Sequence, residues 1–148
     1  MPDTPLDKKL LETLNQILER ELAGVVRYTH YSFMIYGYNR IPIVSWFRDQ
    51  ANESLVHAQK AGELLTSYGD HPSLKIGPLL ETHKHDIESI LKESLEAERE
   101  ALELYRSLLK QVEGKYLVLE EYARNMIVAE EEHATEVEKM LRKPANTK

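Results

Sequence analysis

The chain of 148 residues has no cysteine. There can be no disulfide, no thiolate zinc site and no iron–sulfur cluster. Any bound metal must be held by oxygen and imidazole nitrogen. Basic residues are also short: 19 Lys and Arg stand against 25 Asp and Glu, for a formal charge of −6. A basic face for nucleic acid is not expected, whereas an acidic surface attracts cations. No apolar run reaches membrane-spanning length. The opening residues, Met1-Pro2-Asp3-Thr4-Pro5, have neither the basic start nor the apolar stretch of a secretory signal. A cytoplasmic protein of one domain is the expectation, with no membrane or nucleic-acid partner.

Proline is scarce, and its placement is informative. The six prolines sit at 2, 5, 42, 72, 78 and 144. Proline inside a helix costs about 3 kcal/mol, so the proline-free stretches mark where long helices can run. The pattern predicts a first helix over about 6–36, capped by Thr4, with Pro5 in its first turn and Gly37 as its stop. A second helix runs over about 42–68 and stops at Gly69. Pro72, Gly77 and Pro78 make the next segment a loop. Gly114-Lys115 divides the rest into helices over about 81–112 and 116–142. The first and last links are short, so each joins antiparallel neighbours. The middle link is long enough to cross the length of a bundle, since a dozen extended residues reach about 40 Å. The expected fold is all-α: an antiparallel four-helix bundle with one long crossover.

Each expected helix carries an apolar stripe at spacings of three and four. The first reads Leu14, Leu18, Glu21, Val25, Tyr28. The second reads Phe47, Ala51 or Gln50, Ser54, His57, Ala61, Leu64. The third reads Ile87, Leu91, Leu95, Glu98, Leu102, Tyr105, Leu109. The fourth reads Leu119, Tyr122, Met126, Glu130, His133, Val137, Met140. In all four an ionisable residue interrupts the stripe near mid-helix: Glu21, His57, Glu98, and Glu130 with His133. Burying one unpaired carboxylate costs several kcal/mol, and several together oppose one another's ionisation. No Lys or Arg lies on the stripes at that depth. A bound cation is the natural counter-charge, and a Glu from each of two helices with Glu-x-x-His from the others is a di-iron carboxylate pattern.

The same residues carry a family likeness. Glu21-Leu22-Ala23 with Tyr28, His57-Ala58, Glu98 with Tyr105-Arg106, and Glu130-Glu131-Glu132-His133 together resemble the bacterioferritin branch of the ferritin-like superfamily over about Leu10 to Leu141. The resemblance implies a ferroxidase. Two Fe ions per subunit are oxidised by oxygen or peroxide, for iron storage or detoxification inside a hollow homo-oligomer. By the same likeness Glu21 and Glu98 are terminal ligands, Glu130 bridges, and His57 and His133 bind one iron each. Tyr28 either hydrogen-bonds a ligand or donates an electron, or packs as ordinary core.

Three departures from the family pattern stand out. The Glu expected three residues before His57 is Ser54; Glu53, four residues before, shares a helix face with His57 and is the substitute candidate. The Met that binds haem in the family is Leu55, so haem is not supported. No fifth helix follows the fourth, which points to a shell of 12 subunits or a dimer as well as the 24-subunit form. Outward apolar residues of the first two helices are expected to build the dimer. A stand-alone di-iron oxidase or peroxidase resembling rubrerythrin, and a non-catalytic oligomer with a degenerate site, are the alternatives. His30, His71, His83 and His85 fall outside the central level, and Trp46 and Phe47 are expected at a bundle end or dimer face.

Overall fold

The structure is a computed structural model that describes residues 5–144. It contains four helices, α1 (Lys8–Met34), α2 (Arg40–Ser67), α3 (Ile87–Val112) and α4 (Leu117–Leu141). There is no strand among the described residues. The helices fall into two compact units, Met1–Glu81 and Thr82–Lys148. Each unit is one antiparallel helix pair.

Three of the four expected helices are met within one to two residues at each end. α3 begins six residues later than expected, at Ile87. Its N-cap is Asp86, whose carboxylate accepts from the backbone N–H of Ser89 at 3.0 Å. His83 just before it has a positive φ of 56°, which no helix continues through. Thr4, the expected cap of α1, lies outside the described residues. That role falls to Asp7, which accepts from the Leu10 N–H at 2.8 Å. Pro42 sits inside the first turn of α2, where its missing N–H belongs to a group the helix leaves unbonded anyway. The predicted stops Gly37, Gly69 and Gly114 all have positive φ.

In the first unit the buried residues of α2 are Val44, Phe47, Ala51, Ser54, Ala58, Ala61 and Leu65. Their spacing is an unbroken alternation of three and four, the signature of one packed seam. Leu65 takes the place expected for Leu64, and Val25 of α1 is only half-buried. The middle of the seam is made of small residues, so α1 lies close. A Cβ added at Gly24 would stand 2.8 Å from Ser54 Oγ and 3.3 Å from its Cβ. At the turn between the helices, Arg40 donates to the carbonyls of Ser32 at 3.2 Å and Ile35 at 2.7 Å. α1 has no basic residue in its last turn, so Arg40 supplies the positive charge that its exposed carbonyls favour.

The link after α2 runs back along α1. Asn15 is bonded twice, donating to Asp70 at 3.2 Å and accepting from the Ser73 N–H at 2.8 Å. Further on, the Gly77 N–H donates to the Glu19 carbonyl at 2.7 Å, Arg27 reaches the Pro78 carbonyl at 3.5 Å, and His30 meets Glu81 at 3.2 Å. From Asn15 to His30 is about 22 Å of helix at 1.5 Å per residue, so the link traverses most of α1, as a crossover must. Gly77 makes this approach possible: a Cβ there would lie 3.2 Å from the Glu19 carbonyl oxygen and 3.3 Å from the Arg20 Cα.

In the second unit two ion pairs set the register. Arg99 meets Glu138 at 3.2 Å and Arg106 meets Glu131 at 2.9 Å. The partners are seven residues apart on both helices and run in opposite order, which is antiparallel pairing without slippage. Exposed pairs contribute little stability, about 0–1 kcal/mol; their effect here is on alignment. Leu108 replaces the expected Leu109 on the buried face, and Ile87 and Met140 are half-buried. At the turn, Arg124 bonds Glu113 and Glu120, and Glu120 accepts the Gly114 N–H at 3.0 Å.

Gly77→Ala is expected to cost about 1–3 kcal/mol, because the obstructing atoms are backbone; urea unfolding would read it. The Ser89 hydroxyl and backbone N–H hold the Asp86 carboxyl below its ordinary range. A depressed carboxylate stabilises the fold above its unfolded pKa and ceases to do so as pH falls through its folded value. The stability gap between wild type and Asp86→Ala should therefore be full near neutrality and narrow in acid, below the ordinary carboxylate range.

Candidate metal centre

α1 and α2 bring Glu21 and His57 together, with Glu21 Oε1 3.5 Å from His57 Nδ1. Their side chains are 7% and 14% exposed. On the opposite ring nitrogen, His57 Nε2 lies 3.7 Å from Glu53 Oε1 one turn earlier on α2. Glu53 is half exposed, at 49%. Ser54, where the family pattern has a carboxylate, is buried in the seam against Gly24. His57 does not stand on the buried stripe as the helical period alone suggests. It flanks that stripe beside Ala58, so its ring is partly accessible.

α3 and α4 assemble the other set. His133 Nδ1 is 3.4 Å from Glu98 Oε2, with side chains 12% and 9% exposed. Glu130, one turn before His133, is buried as well. One ligand atom each from Glu98, Glu130 and His133 lie within 4.8 Å of one another. Both pairs repeat one arrangement: a carboxylate from the first helix of a hairpin facing Nδ1 of a histidine on the second.

These spacings suit cations. Separations of 3.4 and 3.5 Å exceed a good charge-assisted hydrogen bond. Two donors each about 2.0–2.2 Å from a first-row transition ion stand about 3–3.5 Å apart. Hard carboxylate oxygens with imidazole suit iron, manganese or zinc and leave no role for a soft ion. The buried cation of the first unit, Arg27, lies six residues beyond Glu21, or about 9 Å along the helix. It bonds the Pro78 carbonyl.

Tyr28 is fully buried in an aromatic cluster, stacked on Phe47 with centroids 6.0 Å apart and edge-on to Tyr31. Its packing role is thereby established. Phe47 is core, and the half-buried Trp46 leans edge-on against it. Glu93, which the sequence pattern did not single out, is a buried carboxylate of α3 that accepts from the Thr82 hydroxyl at 2.7 Å. The available signal was helical spacing: Glu93 lies three residues from buried Ile90. The pairing of His30 with Glu81, 51 residues apart in sequence, left no signal in the sequence.

A four-helix chain with paired Glu–His sites belongs to a recognisable class, and the comparisons with known proteins give it a family. The chain matches the ferritin-like domain over residues 11–146, and it belongs to that family. Its fold is the ferritin-like four-helix bundle. A ferritin-like, diiron-carboxylate protein from Bacillus anthracis str. Ames superposes with a TM-score of 0.86 at 22% identity, over 91% of this chain and 96% of that one. A bacterioferritin from Rhodobacter capsulatus, solved with a metal-free dinuclear site and a heme iron, gives 0.84 at 24% identity, over 93% and 86%. Comparison with curated protein sequences finds no match. No helix among the described residues is long and apolar enough to cross a membrane.

Binding to the folded state alone stabilises it, by about 2.7 kcal/mol for each site at a hundredfold excess over its dissociation constant. Zinc should therefore raise the thermal midpoint of the metal-free protein, and chelation should reverse the rise. His133→Ala should lose the share of one position, read as a smaller zinc-induced shift in the same melts.

Proposed function

We propose that the chain is a ferroxidase that binds two Fe(II) ions and oxidises them with oxygen or peroxide. The observation that carries this reading is the burial of three carboxylates, Glu21, Glu98 and Glu130, with an imidazole 3.4–3.5 Å from two of them. Such groups are costly in a dry interior without a cation. Membership of the ferritin-like family supports iron as that cation.

Glu21 and His57 would hold one ion, with Glu53 as a further contributor near His57, and Glu98, Glu130 and His133 would hold the other. Each Fe(II) gives up one electron. Two ions thus supply the pair that takes oxygen to peroxide, or peroxide to water. The chain's own part is electrostatic. Carboxylates offset the extra positive charge of the ferric product, and the imidazoles suit the ferrous substrate. Tyr28, seven residues from Glu21 on the same face of α1, would be the electron donor of this reading. Haem has no part in this reading, since Leu55 stands where the family pattern has the ligating Met.

The reading extends to iron storage or detoxification in a homo-oligomer. Val26 and Phe33 of α1 and Leu55 and Val56 of α2 are exposed to 44%, 58%, 41% and 60%, an apolar cost that a second copy would remove. Ser54 favours the competing view of a degenerate, non-catalytic site, and iron titration under air separates the two. Rapid oxidation of two Fe(II) per chain, lost in Glu130→Ala, is the expected result. Further uptake of hundreds of ions per assembly would mark storage, and its absence a stand-alone oxidase. Oxidation no faster than in buffer would refute the ferroxidase.

A further inference from the structure

We propose that the cavity on α2 between Arg40 and Arg48 binds a small phosphoryl anion, free phosphate or a phosphate monoester. The proposal does not depend on the metal centre or on the ferroxidase reading.

The site starts from two arginines eight residues apart on one helix. Their Cα atoms stand about 12 Å apart along α2 at 1.5 Å per residue, yet both side chains end on Ser32 of α1, which is fully buried. Arg40 Nη1 donates to the Ser32 carbonyl at 3.2 Å and to that of Ile35 at 2.7 Å. Arg48 Nε donates to the Ser32 hydroxyl at 3.4 Å. These bonds fix the two guanidiniums without neutralising them, because every acceptor is uncharged. Among the described residues neither arginine forms an ion pair with a carboxylate. The arginines of the other hairpin do pair: Arg99, Arg106 and Arg124 each meet a Glu at 2.8–3.2 Å.

The two unneutralised cations line one cavity of about 370 Å³ together with Ile41, Val44, Ser45 and Asp49. That volume lies among those of small-molecule sites, about 300–1,000 Å³. The lining assigns the chemistry. Arg40 uses Nη1 on α1 and keeps its Nε–Nη2 edge. Arg48 uses Nε and keeps its Nη1–Nη2 edge. Each free edge is a two-donor fork that matches two oxygens of an anion. A carboxylate has two oxygens and fills one fork, whereas a phosphoryl group has three or more and can meet both. The Ser45 hydroxyl is a further donor, and Ile41 and Val44 offer an apolar wall to an organic substituent. Asp49 opposes the anion and limits the charge that the site accepts.

The test is calorimetric titration of the full chain in phosphate-free buffer, after chelation so that no bound metal takes up the anion. The probes are inorganic phosphate, phenyl phosphate and benzoate. Saturable binding of one phosphoryl anion per chain is expected. Arg48 is exposed and its printed bond is to a hydroxyl alone, so its replacement leaves the hairpin folded. Arg48→Gln should weaken binding tenfold or more. Arg48→Lys keeps the charge but loses the fork, and should weaken it severalfold. Asp49→Asn should tighten it. Lys75→Gln, an equal loss of charge on the crossover, should leave it unchanged. Tighter binding of phenyl phosphate than of phosphate identifies a monoester as the ligand, and equal affinities identify the free anion. No saturable binding of either, tighter binding of benzoate, or equal losses in Arg48→Gln and Lys75→Gln would overturn the proposal.

Discussion

Carboxylates inside a helical protein set the terms for everything around them. Glu21, Glu98 and Glu130 are each about as buried as the leucines beside them. A carboxylate in that position must be neutralised, hydrogen-bonded or matched by a positive charge. The helices answer by presenting an imidazole at nearly equal distance in both hairpins. Paired carboxylate and imidazole can hold a cation, and a cation is what makes the burial tolerable. The surrounding features keep these groups in place. The seam of α2 and the two seven-residue-spaced ion pairs of α3 and α4 align each histidine with its glutamate.

Much of this was legible in the chain because the cues are local. Proline and glycine spacing located the helices, since both act through the backbone of their own turn. The interrupted stripes located Glu21, Glu98, Glu130 and His133, since a charge on an apolar face is conspicuous at helical period. The start of α3 at Ile87 leaves no mark in the sequence because residues 81–86 carry no breaker; Asp86 as a cap and the left-handed His83 decide it. Stripe assignments slipped by one residue at Leu64 and Leu109, where either neighbour satisfies the period and only the crossing of two helices chooses.

Less legible were features that depend on partners far away in sequence. Glu93 reads as one more exposed acid in a Glu-rich helix until Thr82 is found at its carboxylate. Ser54 reads as a lost ligand. The structure adds that its small size is matched by Gly24 on the facing helix, so the two positions form a steric pair. Whether the acid nearest His57 stands at position 53 or at position 54 is therefore also a choice about how closely α1 and α2 approach. Ligand chemistry and helix packing are settled by the same pair of residues.

The crossover adds a mechanical consequence. Its backbone is anchored to the Glu19 carbonyl two residues before Glu21, and the anchor is a main-chain bond that no side-chain rotation can release. The turn of α1 bearing a proposed ligand is thus clamped from outside by a segment with no helix of its own. A proteolytic nick between Lys75 and Gly77 would cut that clamp without touching any ligand. The coordinating power of Glu21 is in this sense borrowed from a stretch of chain far downstream.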